Sequence, residues 1–461
     1  MALNRWGGRL CSLSFALVLL GCGETDFSFI PTRPLQPFDE VKKEISRLRG
    51  LPFVHEVTLE TKKLEEIGSL LAEPVENASE EKSSLMAEIY TRLGLLTEAA
   101  DLSKDLVELQ RFRHSIHYDA RRRKIVVPQE PLKPDLAFLR FPGRASEETT
   151  RQVLLAHALT HALQDQHFQW RARIKSRNTT DSRLTLRAVT QGDAVLVGLA
   201  YLAAREQGGK EEIIDAVKNL FQLSTALERG LSFLPELLRQ KLAFEYLYGS
   251  QFVLWAYSHK GWDGVNGLFS RPPRSTAQIL HPEKYYVTRA EPLHIIPWKL
   301  LRQSGAQKIV EETLGEFTLR LLLSQILSKA EAERVAAGWT GDTLLAFRDG
   351  EELILGWVIA WENPAEARGF FAAYRRVLEK RYGPVLEASS AGNDALVSRE
   401  GAHPLLLQIK DNFVFVLDGM PAPRSTEVAA GLWAELETTR EPPQVPFDLV
   451  RRSQGPASTR K

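Results

Sequence analysis

Apolar residues recur at helical spacing along most of the chain up to about residue 337, and at strand spacing beyond Gly338. The helical period predicts amphipathic helices over residues 40–48, 64–71 and 80–93, and longer ones over 184–204, 211–227 and 234–257. Ala194 to Ala203 is almost wholly apolar. That run of about ten residues suits a buried helix, since a bilayer span needs roughly 20. Two β-rich pieces, 57–61 and 124–127, are expected to pair as a small edge sheet. After Gly338, residues 344–347, 353–361, 396–398, 405–409 and 413–417 read as strands around a helix over 365–381, with Asp411-Asn412 as a hairpin turn. The expected fold class is α+β: a mainly helical domain over 38–337, then a smaller α+β domain with an antiparallel sheet over 338–437. Residues 438–461, with Pro442, Pro443, Pro446 and Pro456, read as a disordered tail.

The first residues change the picture of where this fold sits. Arg5 and Arg9 precede the apolar run 10–20, which ends in Leu19-Leu20-Gly21-Cys22, an arrangement that resembles a bacterial lipoprotein signal peptide. On that resemblance residues 1–21 are removed, lipid on Cys22 supplies the membrane attachment, and 22–37, with Pro31, Pro34 and Pro37, form a tether. The resemblance further implies the bacterial cell envelope; Gly23 stands where aspartate would retain the protein in the inner membrane, which favours the outer one. Cys11 and Cys22 are the two cysteines, so the mature domain has no disulfide to stabilise it and depends on burial. Removing Arg5 and Arg9 turns 59 basic against 58 acidic residues into 57 against 58, a near-neutral chain that argues against nucleic acid as a partner.

Candidate chemistry centres on Ala156-His157-Ala158-Leu159-Thr160-His161, preceded by Ser146-Glu147-Glu148, which suits a helix start. Histidines four apart lie one turn apart on one helix face, where both imidazoles can reach a single zinc ion. Thirty residues on, Thr190-Gln191-Gly192-Asp193-Ala194 opens an apolar helix that can bring Gln191 to the same ion. Asp193, two residues and about 200° further round, points elsewhere and orients a neighbouring group or caps the helix. Asp165, two turns beyond His157, is too distant to share the ion.

With these segments the chain resembles a family of bacterial, often lipid-anchored zinc metallopeptidases of gluzincin type, with a His-Glu-Leu-Thr-His-Ala-Leu-Gln-Asp-Gln-His helix and a later Glu-Gly-Asp-Ala segment. Leu51-Pro52-Phe53, Tyr118-Asp119, residues 272–276 and 278–285, and Thr313-Leu314-Gly315-Glu316-Phe317 extend the resemblance over about 40–440. It implies His157 and His161 as metal ligands, Gln191 in place of a glutamate third ligand, and Ala158 in place of the general base. Losing such a base typically costs about 10²–10⁴ in rate. A neutral amide also binds zinc less tightly than a carboxylate. The expectation is therefore a catalytically inactive, lipid-anchored pseudopeptidase that binds peptide or an envelope protein. The alternatives are a zinc-dependent peptidase recruiting Glu283 or Asp193 as its base, and a purely structural envelope lipoprotein.

Other residues carry blander expectations. His167 packs or caps; His114 and His117 sit at the surface; Arg121-Arg122-Arg123-Lys124 form a solvated turn. Residues 281–285 form a structural corner in which Glu283 and Tyr285 are the groups that would line a cleft. Trp255, Trp262, Trp298, Trp339 and Trp357 fall at core spacings.

Overall fold

The computed structural model describes residues 36–440, apart from 64, 68–79, 98–100, 114–115, 131–146, 221–230, 298–306, 385 and 390–391. The expected signal, Cys22, the first part of the expected tether, Ser146, His114 and Trp298 lie outside the described residues, as does the chain beyond 440.

The fold is α+β, with helices dominating the first part and an antiparallel sheet in the C-terminal part. Three helices position the site. Phe38–Arg49 buries Val41 and Ile45 and ends at Gly50, whose left-handed backbone (φ 64°) turns the chain away. The histidine helix, Glu147–Phe168, packs on it. The crossing helix, Thr180–Arg205, starts at Thr179, whose Oγ1 accepts the Ser182 N–H at 3.2 Å, and packs on both.

The predicted helix 234–257 is interrupted. Glu236–Ala243 leads into a π turn, Phe244–Tyr248, and the chain resumes as Gly249–Ser270, kinked at Gly261. The π turn and the first residues of the resumed helix press closely on the crossing helix. A Cβ on Gly192 would lie 2.3 Å from the Gly249 carbonyl oxygen, and one on Gly249 would lie 2.2 Å from that of Ala188. Glycine at both positions lets the two backbones touch.

A small sheet of order β1-β3-β2 joins β1 (Thr58–Lys62) parallel to β3 (Lys124–Pro128), and β2 (His117–Asp119) antiparallel to β3. The expected pairing of 57–61 with 124–127 is thus present, with β2 added. Because β2 lies against the histidine helix, His117 is buried, which corrects the surface position read from sequence.

Seven strands form the large sheet among the described residues. In spatial order they are β5 (Gln307–Glu312), β6 (Trp339–Asp349), β7 (Glu352–Trp361), β11 (Phe413–Asp418), β10 (Leu405–Lys410), β9 (Gly392–Ser398) and β8 (Leu386–Ser389). Asp411-Asn412 makes the two-residue turn of the β10–β11 hairpin, with Asp411 at φ 53°. Strand β5 precedes residue 338, so the sheet reaches back across that position. One face of the sheet packs Leu344, Leu355 and Trp357 against the helix Pro364–Tyr382 and the helical part. The other packs Phe347, Ile354 and Phe415 against Arg424–Ala434. Two covered faces explain the near-continuous apolar run of β7. Inside the first face, Asp342 accepts the backbone N–H groups of Leu314 and Gly315 (both 2.9 Å) and the indole N–H groups of Trp339 and Trp357 (both 3.0 Å).

Two further expectations change. Residues 438–440 are not tail: β12 (Glu437–Arg440) pairs antiparallel with β4 (Leu293–Ile296), which packs on β6. Trp339 and Trp357 are core, whereas Trp255 and Trp262 are only partly buried. Trp255 stacks between His259 and Tyr286, and Trp262 lies under the Arg49 guanidinium.

Candidate metal centre

His157 and His161 face the crossing helix one turn apart, and their Nε2 atoms lie 3.1 Å from each other. The Gln191 Oε1 atom lies 3.1 Å from His157 Nε2. The helix pair thus brings together the three residues singled out from the sequence. All three keep partial contact with solvent. Zinc–nitrogen bonds of about 2.0–2.1 Å put tetrahedral donors about 3.3 Å apart, so the two spacings measured from His157 are of the size that donors of one ion have. The donor set is two imidazoles and one amide. Among the described residues there is no group of three or more His, Cys, Asp or Glu side chains placed to hold a metal.

Behind the donors lies a buried polar chain that fixes their orientation. Gln164, one turn beyond His161 on the same face, donates through Nε2 to the Thr190 carbonyl (2.9 Å) and to Asp193 Oδ2 (2.9 Å). Both partners are acceptors, so Gln164 Oε1 must be the atom facing His161 Nδ1 at 2.8 Å. The His161 proton is therefore on Nδ1, and the Nε2 lone pair faces His157 and Gln191. Asp193 in turn is paired with Arg49, Nε to Oδ1 at 3.2 Å and Nη2 to Oδ2 at 3.3 Å, with both side chains fully buried.

Burial is the largest influence on each of these groups. It holds His157 well below the usual imidazole range, with His161 lowering it further and Gln191 and Ala194 partly opposing. It pushes His161 down to about 4, against the hydrogen bond to Gln164 and with help from the Arg171 cation. Asp193 is pushed up and Arg49 down, and each partly restores the other. Neutral imidazoles are the form that ligates a metal.

Ala158 is fully buried in the apolar cluster of Val41, Ile45, Leu154 and Tyr201. A methyl group there packs, and it can take no proton. Asp193 is paired with Arg49 and accepts from Gln164. Glu283 is exposed and 3.7 Å from His281 Nδ1, while His281 Nε2 bonds Glu316 at 2.8 Å. Tyr285 donates its hydroxyl to the Arg271 carbonyl at 2.5 Å. The corner 281–285 is thus tied to its own neighbours. Asp165 accepts from the Tyr118 hydroxyl at 3.5 Å, and His167 Nε2 donates to the Pro52 carbonyl at 2.7 Å.

Sequence reasoning missed Gln164, Arg49 and Tyr246, whose ring stacks on His157 with centroids 6.0 Å apart and planes 8° apart. Gln164 had a usable signal, three residues after His161 on the same helix face.

Residues 302–429 match the model of a family described as a domain of unknown function (DUF8575). That stretch covers the large sheet and stops short of the histidine site. No curated protein matches the chain. A crystal structure described as "a putative hydrolase with a novel fold from Chloroflexus aurantiacus" is similar at 16% identity and TM-score 0.35, over 54% of this chain and 87% of that one.

Proposed function

We propose that this chain is a lipid-anchored envelope pseudopeptidase, a protein with a zinc-peptidase-like cleft that binds peptide or protein without hydrolysing it. The supporting observation is the convergence of His157, His161 and Gln191 beside Ala158, which leaves a set of ligating atoms with no base next to it. His157, His161 and Gln191 would hold the ion, and the ion when bound would supply an electrophile for a ligand oxygen. Gln164 and Asp193 keep the His161 lone pair aimed at it. Ala158 can neither orient a water nor carry its proton to a leaving group. Among the described residues β1 is an edge strand to which an extended peptide can pair, and β2, at the other edge, lies against the histidine helix with its Tyr118 carbonyl bonded by Arg171.

The peptidase alternative needs a base, and both carboxylates considered for it have other partners: Asp193 is bound to Arg49, and Glu283 lies beside His281. The structural-lipoprotein alternative needs neither ion nor peptide. Zinc stoichiometry of the detergent-solubilised chain, beside a His157→Ala, His161→Ala control, tests the proposal. About one zinc per chain, lost in the control, with no chelator-sensitive cleavage of unstructured peptides, is expected. Absence of zinc from the unaltered chain overturns the metal reading, and cleavage abolished by His157→Ala overturns the inactive one.

A further inference from the structure

Charge around the site sets which ligand it would accept. The three donors are neutral, two imidazoles and an amide, and Ala158 adds no carboxylate. Asp193 is matched by Arg49, and that pair sums to zero wherever its proton resides. On the outer side the Arg171 cation acts electrostatically on both His161 and Asp165. Arg171 lies over Trp170, 4.9 Å from the ring, and Trp170 is 5.5 Å from the His161 ring. Its Nη2 donates to the Tyr118 carbonyl at 3.3 Å, whereas its buried Nε has no hydrogen-bond partner among the described residues.

We infer that the site is a receptor for carboxylate groups, such as the C-terminus of a peptide, with Arg171 as a second contact. The inference rests on His157, His161 and Gln191 holding a metal ion. A divalent ion held by these three keeps its whole double charge, because no ligand offsets it. In a low-dielectric cleft, opposite charges a few ångström apart attract by several kcal/mol more than an ion and a neutral carbonyl do. An anionic oxygen is therefore preferred at the ion's remaining position over water or an internal peptide carbonyl. The same loss of carboxylates that removes hydrolysis creates this preference.

Cobalt(II) in place of zinc gives a visible spectrum sensitive to what occupies that position. The full chain, solubilised in detergent and loaded with cobalt, is titrated with acetate, with a peptide bearing a free C-terminus, and with the same peptide amidated. Saturable spectral shifts are expected with the first two, and binding at least about tenfold weaker with the amidated peptide. Shifts with acetate alone would identify small carboxylates as the ligand. Gln191→Glu should bind cobalt more tightly and carboxylate about tenfold less tightly, changes of opposite sign that a folding defect does not produce. Arg171→Gln should weaken carboxylate binding with cobalt still bound. Cobalt bound with no carboxylate response, or equal affinity for free and amidated peptides, overturns the inference and leaves the metal reading standing. No bound cobalt or zinc overturns both.

Discussion

Arg49 and Asp193, 144 residues apart in sequence, form an ion pair with neither side chain in contact with solvent. Removing one partner strands a buried charge, which typically costs about 3–5 kcal/mol. Asp193→Leu is expected to destabilise the chain by that order in urea denaturation. Adding Arg49→Met should recover much of the loss while zinc affinity stays low, because Gln164 has still lost the acceptor that orients it.

Gln164 couples that pair to His161. Gln164→Leu keeps the volume and removes the acceptor for His161 Nδ1. Loss of such an outer partner typically lowers metal affinity about 10–100-fold. Competition with a chromophoric chelator should show a drop of that size, and ¹⁵N shifts of the His161 ring should move from a single tautomer toward a mixture. An unchanged tautomer would remove Gln164 from this role.

Acid should act on the metal-free fold through the two imidazoles. Burial lowers both, His161 to about 4, so the unfolded chain binds more protons than the folded one between that value and the ordinary imidazole range near 6.5. Stability is fully present above about pH 6.5 and is lost as pH falls toward 4. In the presence of chelator, the urea midpoint should decline over that window, and the decline should be shallower in His161→Gln.

The backbone crossing at Gly192 and Gly249 leaves no room for a methyl group. Gly192→Ala should cost at least the roughly 1–3 kcal/mol of an overpacked core, measured by thermal unfolding, and should lower zinc binding because Gln191 moves with the displaced helix. A variant of wild-type stability would show that the helices separate more easily than the 2.3 Å approach implies.

Asp342→Ala tests the join between sheet and helices. It leaves four buried donors without their acceptor, each costing about 1–3 kcal/mol, and the chain should fold poorly or lose cooperativity in denaturant.

Local pattern carried what depends on neighbours in sequence. The His157–His161 spacing, the break in period after Gly338 and the polar dipeptide Asp411-Asn412 correspond to the histidine helix, the large sheet and the β10–β11 hairpin. What escaped depends on distant partners. Arg49 lies one residue past the predicted helix 40–48, and nothing near it in sequence marks Asp193 as its partner; β12 reads as tail until β4 lies beside it. His157, His161 and Gln191 were legible because each lies on a helix whose face can be counted, whereas Tyr246 sits on a π turn, whose phase a 3.6-residue count misplaces.

That turn has a consequence for how the site could be lost or gained. A π turn holds one residue more than the α-helix it interrupts, so it shifts every later residue by about 100° around the axis. Gly249 meets Gly192 only with that extra residue in place. Deleting a single residue from Phe244–Tyr248 would restore a regular helix, turn Gly249 away from the crossing and swing Tyr246 off His157. A one-codon change outside the histidine helix and the crossing helix would then dismantle the arrangement with both histidines intact.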